Sequence, residues 1–153
     1  MSMRVHIATD HAGFELKNEL VAYLSDKGVV VEDHGYHEYD RLDAYPPVCF
    51  ACAEAVVQDP GSLGIVIGGS GNGEQMAANK VAGVRAALVW NEEIAMLARE
   101  HNNANVMSIG ARQHTVAEVK RFVDVFLSTG YDPASRHQSR IQMLSDYEAQ
   151  RDA

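Results

Sequence analysis

The stretch "GGSGNGEQ" carries Gly68, Gly69, Gly71 and Gly73, four glycines in six positions, with Glu74 directly behind them. Glycine loses more backbone freedom on folding than any other residue, so such a run costs stability unless the backbone must approach something closely. A turn of this kind points successive N–H groups inward and ends at a helix N-terminus. The result is a nest that stabilises an anion, or an oxygen acquiring negative charge. Ser70 and Asn72 add side-chain polarity to the same loop. The two familiar phosphate loops do not fit. The dinucleotide fingerprint needs a third glycine where Glu74 stands, and the triphosphate loop needs Gly-Lys-Ser/Thr where the chain has Gly73, Glu74 and Gln75. Glu74 reads in two ways, as a favourable acid in a first helical turn or as a general base. The helix dipole lowers its pKa, whereas a base works best near the operating pH, so burial would have to offset the dipole.

Other residues could share this chemistry. Asp10 and His11 set a carboxylate beside an imidazole. His101 and Asn102, in "REHNNAN", are either cap and surface residues at a helix end or members of a site. Arg112 follows a short apolar run. Arg136 and Arg140 are four apart and share a helix face; two guanidinium forks suit a phosphate, and a solvated basic face is the alternative. His34 and His37 have a spacing some metal sites use, but no neighbouring ligand set completes a tetrahedron, so no metal is expected. His6 alternates with strand apolars, and His114 and His137 read as surface residues. Cys49 and Cys52 form C-x-x-C. With Ala53 and Val56, however, they follow the i, i+3, i+4, i+7 spacing of a buried helix face, which favours a packing role over a redox pair.

The elements that must position these residues are legible. Short β-branched runs at 4–8, 29–32, 63–68, 84–90 and 106–110 read as parallel strands buried on both faces. Helical patterns intervene at about 13–27, 46–58, 73–80, 92–100 and 115–128. Five β/α units predict an open α/β, three-layer sandwich with a five-stranded parallel sheet. In such sheets ligands bind at the carboxyl ends of the strands. Asp10, His11, the glycine loop and Arg112 all fall there. A last segment, about 132–150, has Ile141, Leu144 and Tyr147 on one stripe and no strand to cover, so it predicts a C-terminal helical arm that packs on a partner subunit. The 153 residues fit one domain. A formal charge of -8, with both signs mixed along the chain, disfavours nucleic acid. No apolar run approaches the roughly 18 residues of a membrane span, and the opening "MSMRVHIATD" enters a strand directly, so a cytoplasmic protein is expected.

With these residues assembled, the chain resembles the ribose/galactose isomerase family of the type B ribose-5-phosphate isomerases, which also holds bacterial galactose-6-phosphate isomerase subunits. The resemblance runs from Arg4 to about Tyr147, through "DHAGFELK", "GGSGNGEQMAANK", "REHNNAN" and "RHQSRI". It implies a Rossmann-like fold and cofactor-free interconversion of ribose 5-phosphate and ribulose 5-phosphate by a homodimer or dimer of dimers. In one branch a cysteine opens the glycine loop and removes the substrate's C2 proton. Here that position is Gly68, and the chain is similar to the actinobacterial-type branch, in which a glutamate matching Glu74 takes the role. The resemblance implies that His101 opens the sugar ring with Asp10 assisting, that Ser70 joins the catalytic set, and that Gly69 to Gly73 hold an enediolate in the manner of an oxyanion hole. It further implies that His11, Asn102 and Arg112 contact the sugar phosphate and that Arg136 and Arg140 reach over from the other subunit. Many relatives have Asp-Tyr-Pro where this chain has Asp43, Ala44, Tyr45 and Pro46, which bears on substrate choice. The same chemistry on a four- or six-carbon sugar phosphate is one rival reading, and a non-catalytic sugar-phosphate sensor is another.

Overall fold

The computed structural model describes residues 2–152. Strands β1 (Arg4–Thr9), β2 (Val30–Asp33), β3 (Leu63–Gly68), β4 (Ala86–Leu88) and β5 (Val106–Gly110) form a parallel sheet in the order β2-β1-β3-β5-β4. Helices α1 (Phe14–Asp26), α2 (Tyr45–Gln58), α3 (Asn72–Ala78), α4 (Glu92–Glu100) and α5 (Val116–Ser128) connect or follow them, and α6 (Gln138–Arg151) ends the described chain. Side chains alternate across the pleat. Ile7, Ile65, Ile67, Met107 and Ile109 pack with Leu20, Ala95, Val123 and Phe126 of α1, α4 and α5. Ala8, Val66 and Val106 pack with Cys49, Cys52, Ala53 and Ala77 of α2 and α3. This is the three-layer sandwich that the apolar runs predict.

Two expectations need correction. β2 is an edge strand whose residues are exposed or half-buried, with Val30 53% exposed, because only β1 pairs with it and a short valine run has the same composition at an edge as in a core. The fourth strand spans Ala86–Leu88 rather than 84–90, since the Arg85 N–H is taken by the Asn105 side chain at 2.8 Å instead of a ladder partner. The cysteine expectation agrees with the structure. Cys49 and Cys52 are fully buried on the inner face of α2, and burial pushes the Cys52 thiol up to about 12. Local signals set the helix starts: Asn91 caps α4, and Thr115 and Glu118 form a reciprocal capping box on α5, an arrangement that contributes about 1 kcal/mol.

The sheet order brings the carboxyl ends of β1, β3 and β5 side by side, with Thr9 opposite Ile67 and Gly68 opposite Gly110. The chain leaves β1 for one side and β3 for the other, which makes this the crevice where open α/β sheets bind ligands. Of the expected arm stripe, Ile141 is buried, whereas Leu144 and Tyr147 are 58% and 73% exposed. Among the described residues, no helix is long and apolar enough to cross a membrane.

Candidate active site

Gly71 is the N-cap of α3 and adopts a left-handed conformation with φ of 85°, and a Cβ there would meet the Ile109 and Gly110 backbone. The Ser108 hydroxyl donates to the Gly71 carbonyl at 2.7 Å, and the N–H groups of Ala111 and Arg112 donate to Gly68 and Gly69. The loop is thus sewn to the end of β5, leaving the first-turn N–H groups of α3 without intrahelical partners. Ser70 is exposed, and its hydroxyl accepts from the Asn72 N–H at 3.2 Å. The Tyr45 ring closes the loop from α2, with its hydroxyl oxygen 2.7 Å from where a Cβ on Gly73 would stand.

Glu74 is 4% exposed, and its carboxylate lies directly over Gly68. A Cβ at position 68 would overlap the carboxylate carbon and both oxygens. A side chain at 68 and the Glu74 carboxylate therefore compete for one volume. Burial raises the Glu74 pKa above the ordinary glutamate value, the Asp10 charge adds to the rise, and the backbone N–H groups of Glu74 and Gly71 oppose it. Desolvation thus outweighs the helix start, which is the balance a general base needs. Gly68→Ala is expected to destabilise the protein by about 1–3 kcal/mol through this overlap, read from its denaturant midpoint. Combining it with Glu74→Ala should recover most of that loss; additive losses would show that the overlap is relieved elsewhere.

Asp10 and His11 stand beside this loop, after β1. Asp10 is 8% exposed, and its Oδ1 accepts the Ala12 N–H at 3.0 Å. Burial raises its pKa, with Asp43 adding to the rise and the Ala12 N–H, His11 and Arg112 lowering it. Asp43 Oδ1 accepts the His11 N–H at 2.9 Å and lies 2.8 Å from Nδ1. A carboxylate only accepts, so Nδ1 carries hydrogen and Nε2 is free to face a ligand. Sequence reasoning missed this role of Asp43, because a separation of 32 residues leaves no local signal. The Asp43 Oδ2 atom is buried without a hydrogen-bond partner among the described residues. Arg112 is exposed and places Nη1 3.1 Å from the Cβ position of Gly69.

His101, Asn102, Arg136 and Arg140 do not join this group within one chain. α4 starts beside the carboxyl end of β4 and runs back, so His101 and Asn102 lie where β5 begins. The Asn102 carbonyl accepts from Arg85 there at 3.0 Å, while the Arg85 carbonyl accepts from Asn105. The His101 ring stacks on His137 with centroids 4.1 Å apart. Arg136 and Arg140 flank the stack and are exposed. The His137 pKa is lowered by burial first, then by His101, Arg136 and Arg140. A five-residue strand separates the two ends, roughly 15 Å at the usual rise per residue. A cleft of about 610 Å³ between Arg85, Arg99, Asn103 and Gly130 also lies at the amino end of the sheet, away from Glu74. A smaller one, about 420 Å³, borders Ser70, Asn72 and Trp90.

Two groups among the described residues bring three metal-ligating side chains together: Asp10, His11 and Asp43 in the crevice, and His6, Glu32 and His34 at the sheet edge. In the first, Asp10 Oδ1 accepts from the Ala12 N–H, and His11 Nδ1 donates to Asp43 Oδ1.

The sequence model of the ribose/galactose isomerase family matches residues 5–144. The chain is 56% identical to ribose-5-phosphate isomerase B of Mycolicibacterium paratuberculosis over 95% of its length and 92% of the relative's. It is 53% identical to that of Mycobacterium tuberculosis over 99% and 93%. The Mycoplasma genitalium enzyme solved with bound ribulose 5-phosphate superposes with a TM-score of 0.92 at 42% identity, covering 97% of this chain and 98% of that one.

Proposed function

The chain belongs to the ribose/galactose isomerase family, and from that premise we propose how its residues act on the substrate. The reaction is the interconversion of D-ribose 5-phosphate and D-ribulose 5-phosphate, the activity that names its relatives. Glu74 removes the C2 proton of the open-chain aldose and returns it to C1, while the proton on O2 passes to O1. The observation that supports this role is the buried carboxylate with a raised pKa, held over Gly68 against the nest. The N–H groups of Gly69 to Gly73, with Ser70 and Asn72, receive the charge that develops on the enediolate oxygens. His101 protonates the ring oxygen to open the furanose, with Asp10 assisting as the C1 hydroxyl gives up its proton, and His11 presents Nε2 to the substrate with Asp43 as its positioning residue. No cofactor is required, since C1 and C2 exchange oxidation level within one molecule.

Arg112, Asn102, Arg136 and Arg140 hold the phosphate and the sugar hydroxyls, the last two as paired guanidinium forks. A pentose phosphate is far shorter than the roughly 15 Å between the two ends of one sheet. The working unit is accordingly a homodimer, in which His101, Asn102, Arg136 and Arg140 of one copy meet Glu74 of the other. The exposed Leu144 and Tyr147 of α6 supply apolar surface for that pairing. The whole chain acts as one isomerase domain, with about 132–150 as its arm, in the cytoplasm.

The direct test is turnover of ribose 5-phosphate beside erythrose 4-phosphate, allose 6-phosphate and galactose 6-phosphate. The pentose is expected to have the highest kcat/KM. Negligible turnover on it, with activity on another sugar phosphate, would overturn the substrate assignment and leave the role of Glu74 standing.

A further inference from the structure

His34 and His37 share a spacing that suggests a metal site, yet the fold separates them: His37 faces Asp33, at 3.8 Å, while His34 turns to His6 across the β1–β2 edge. His6 Nδ1 lies 2.8 Å from His34 Nε2. Glu32 addresses both rings, with one oxygen 3.4 Å from His6 Nδ1 and the other 3.9 Å from His34 Nε2. Zinc–nitrogen and zinc–oxygen bonds of about 2.0–2.2 Å in a tetrahedron put donor atoms about 3.3 Å apart. The three observed separations straddle that value, so small side-chain rotations seat a cation between them.

The surroundings are built as a metal ligand's surroundings are. His6 is 4% exposed, and its other nitrogen, Nε2, lies 3.0 Å from Asp59 Oδ2. Asp59 is itself gripped by the Arg4 fork, with Nε and Nη2 3.0 and 2.8 Å from Oδ1. An acceptor-only carboxylate fixes the hydrogen on Nε2 and leaves the Nδ1 lone pair aimed at His34 and Glu32. A carboxylate orienting a histidine from behind in this way is the usual support of a zinc ligand. Glu32 is 65% exposed, so an ion has an entry path and water a fourth position.

We propose that His6, His34 and Glu32 form a binding site for a divalent zinc-like cation at the β1–β2 edge, separate from the sugar-phosphate crevice. The ion would tie the edge strand β2 to β1 and, through Asp59, to the end of α2. Without metal, His34 donates from Nε2 to His6 Nδ1; with metal, that hydrogen moves to His34 Nδ1.

The test is titration of the full chain, stripped with a chelator, with cobalt chloride and zinc chloride at pH 7.5. One ion per chain is expected, with the visible absorption of tetrahedral cobalt and a rise in Tm on adding zinc. His34→Gln should weaken binding by about 100-fold or more, and Asp59→Asn by roughly 10–100-fold. Glu32→Gln, at an exposed position, keeps the test open if a buried variant misfolds, and should also remove the cobalt spectrum. Isomerase turnover should be unchanged in His34→Gln. Absence of the cobalt spectrum in the wild type, or binding that survives both His34→Gln and Glu32→Gln, overturns the proposal. So does binding that is lost instead in His137→Ala or His11→Ala.

Discussion

Replacing Glu74 with glutamine is expected to lower turnover of ribose 5-phosphate by roughly 10²–10⁴-fold, the usual contribution of a positioned general base, while leaving sugar-phosphate binding largely intact. Glutamine keeps the shape of the side chain over Gly68 and keeps acceptor capacity toward the N–H groups of Gly71 and Glu74, so the nest should stay assembled. The same variant should also raise the Tm at neutral pH. A carboxyl whose pKa is raised on folding binds its proton more tightly in the folded state, so its ionised form opposes folding above both pKa values, and the penalty fades as pH falls. Removing the charge removes the penalty, which is the expected exchange between stability and activity at a catalytic position. In the wild type, kcat/KM should fall on the acid side with an apparent pKa above the ordinary glutamate range, and Asp10 should couple to that limb. Unchanged turnover in Glu74→Gln would remove the residue from the chemistry. An equal loss of binding and turnover would make it a substrate ligand instead.

The residues that were legible in the sequence are those whose roles rest on local pattern. Glycine spacing exposed the nest, and alternation with β-branched runs exposed the central strands. The i, i+3, i+4, i+7 spacing placed Cys49, Cys52, Ala53 and Val56 in the core before any fold was known. What stayed hidden depends on contacts distant in sequence. The direction of the Glu74 pKa shift is a contest between burial and backbone N–H groups that only packing decides. The pairing of His11 with Asp43 and that of His6 with His34 join residues 32 and 28 positions apart. The edge position of β2 follows from strand order, which composition does not encode. His101 lies between these cases. Its resemblance-based role points toward Glu74, but a helix that leaves the carboxyl end of a parallel strand must return its last residues to the amino end. Chain direction alone therefore already separates His101 from Glu74 within one molecule.

That separation makes a second prediction with a large effect. Glu74→Gln and His101→Asn should each be nearly inactive as purified proteins, yet unfolding and refolding them together in equal amounts should restore about a quarter of wild-type activity. The figure follows from two-fold symmetry. Half of randomly paired dimers contain one chain of each kind; in these, one site joins both defects and the other joins Glu74 of one chain to His101 of its partner. If both residues served the same chain's site, no pairing could rebuild an intact one, and the mixture would stay as inactive as its components. The stack of His101 on His137 and the flanking Arg136 and Arg140 move with the same end of the molecule, so Arg136→Ala should behave as His101→Asn does. It should complement Glu74→Gln and fail to complement His101→Asn, because two defects on the phosphate-binding end leave every mixed dimer without a whole site. Complementation between Arg136→Ala and His101→Asn would instead place those residues in different sites and separate the phosphate ligands from the ring-opening acid.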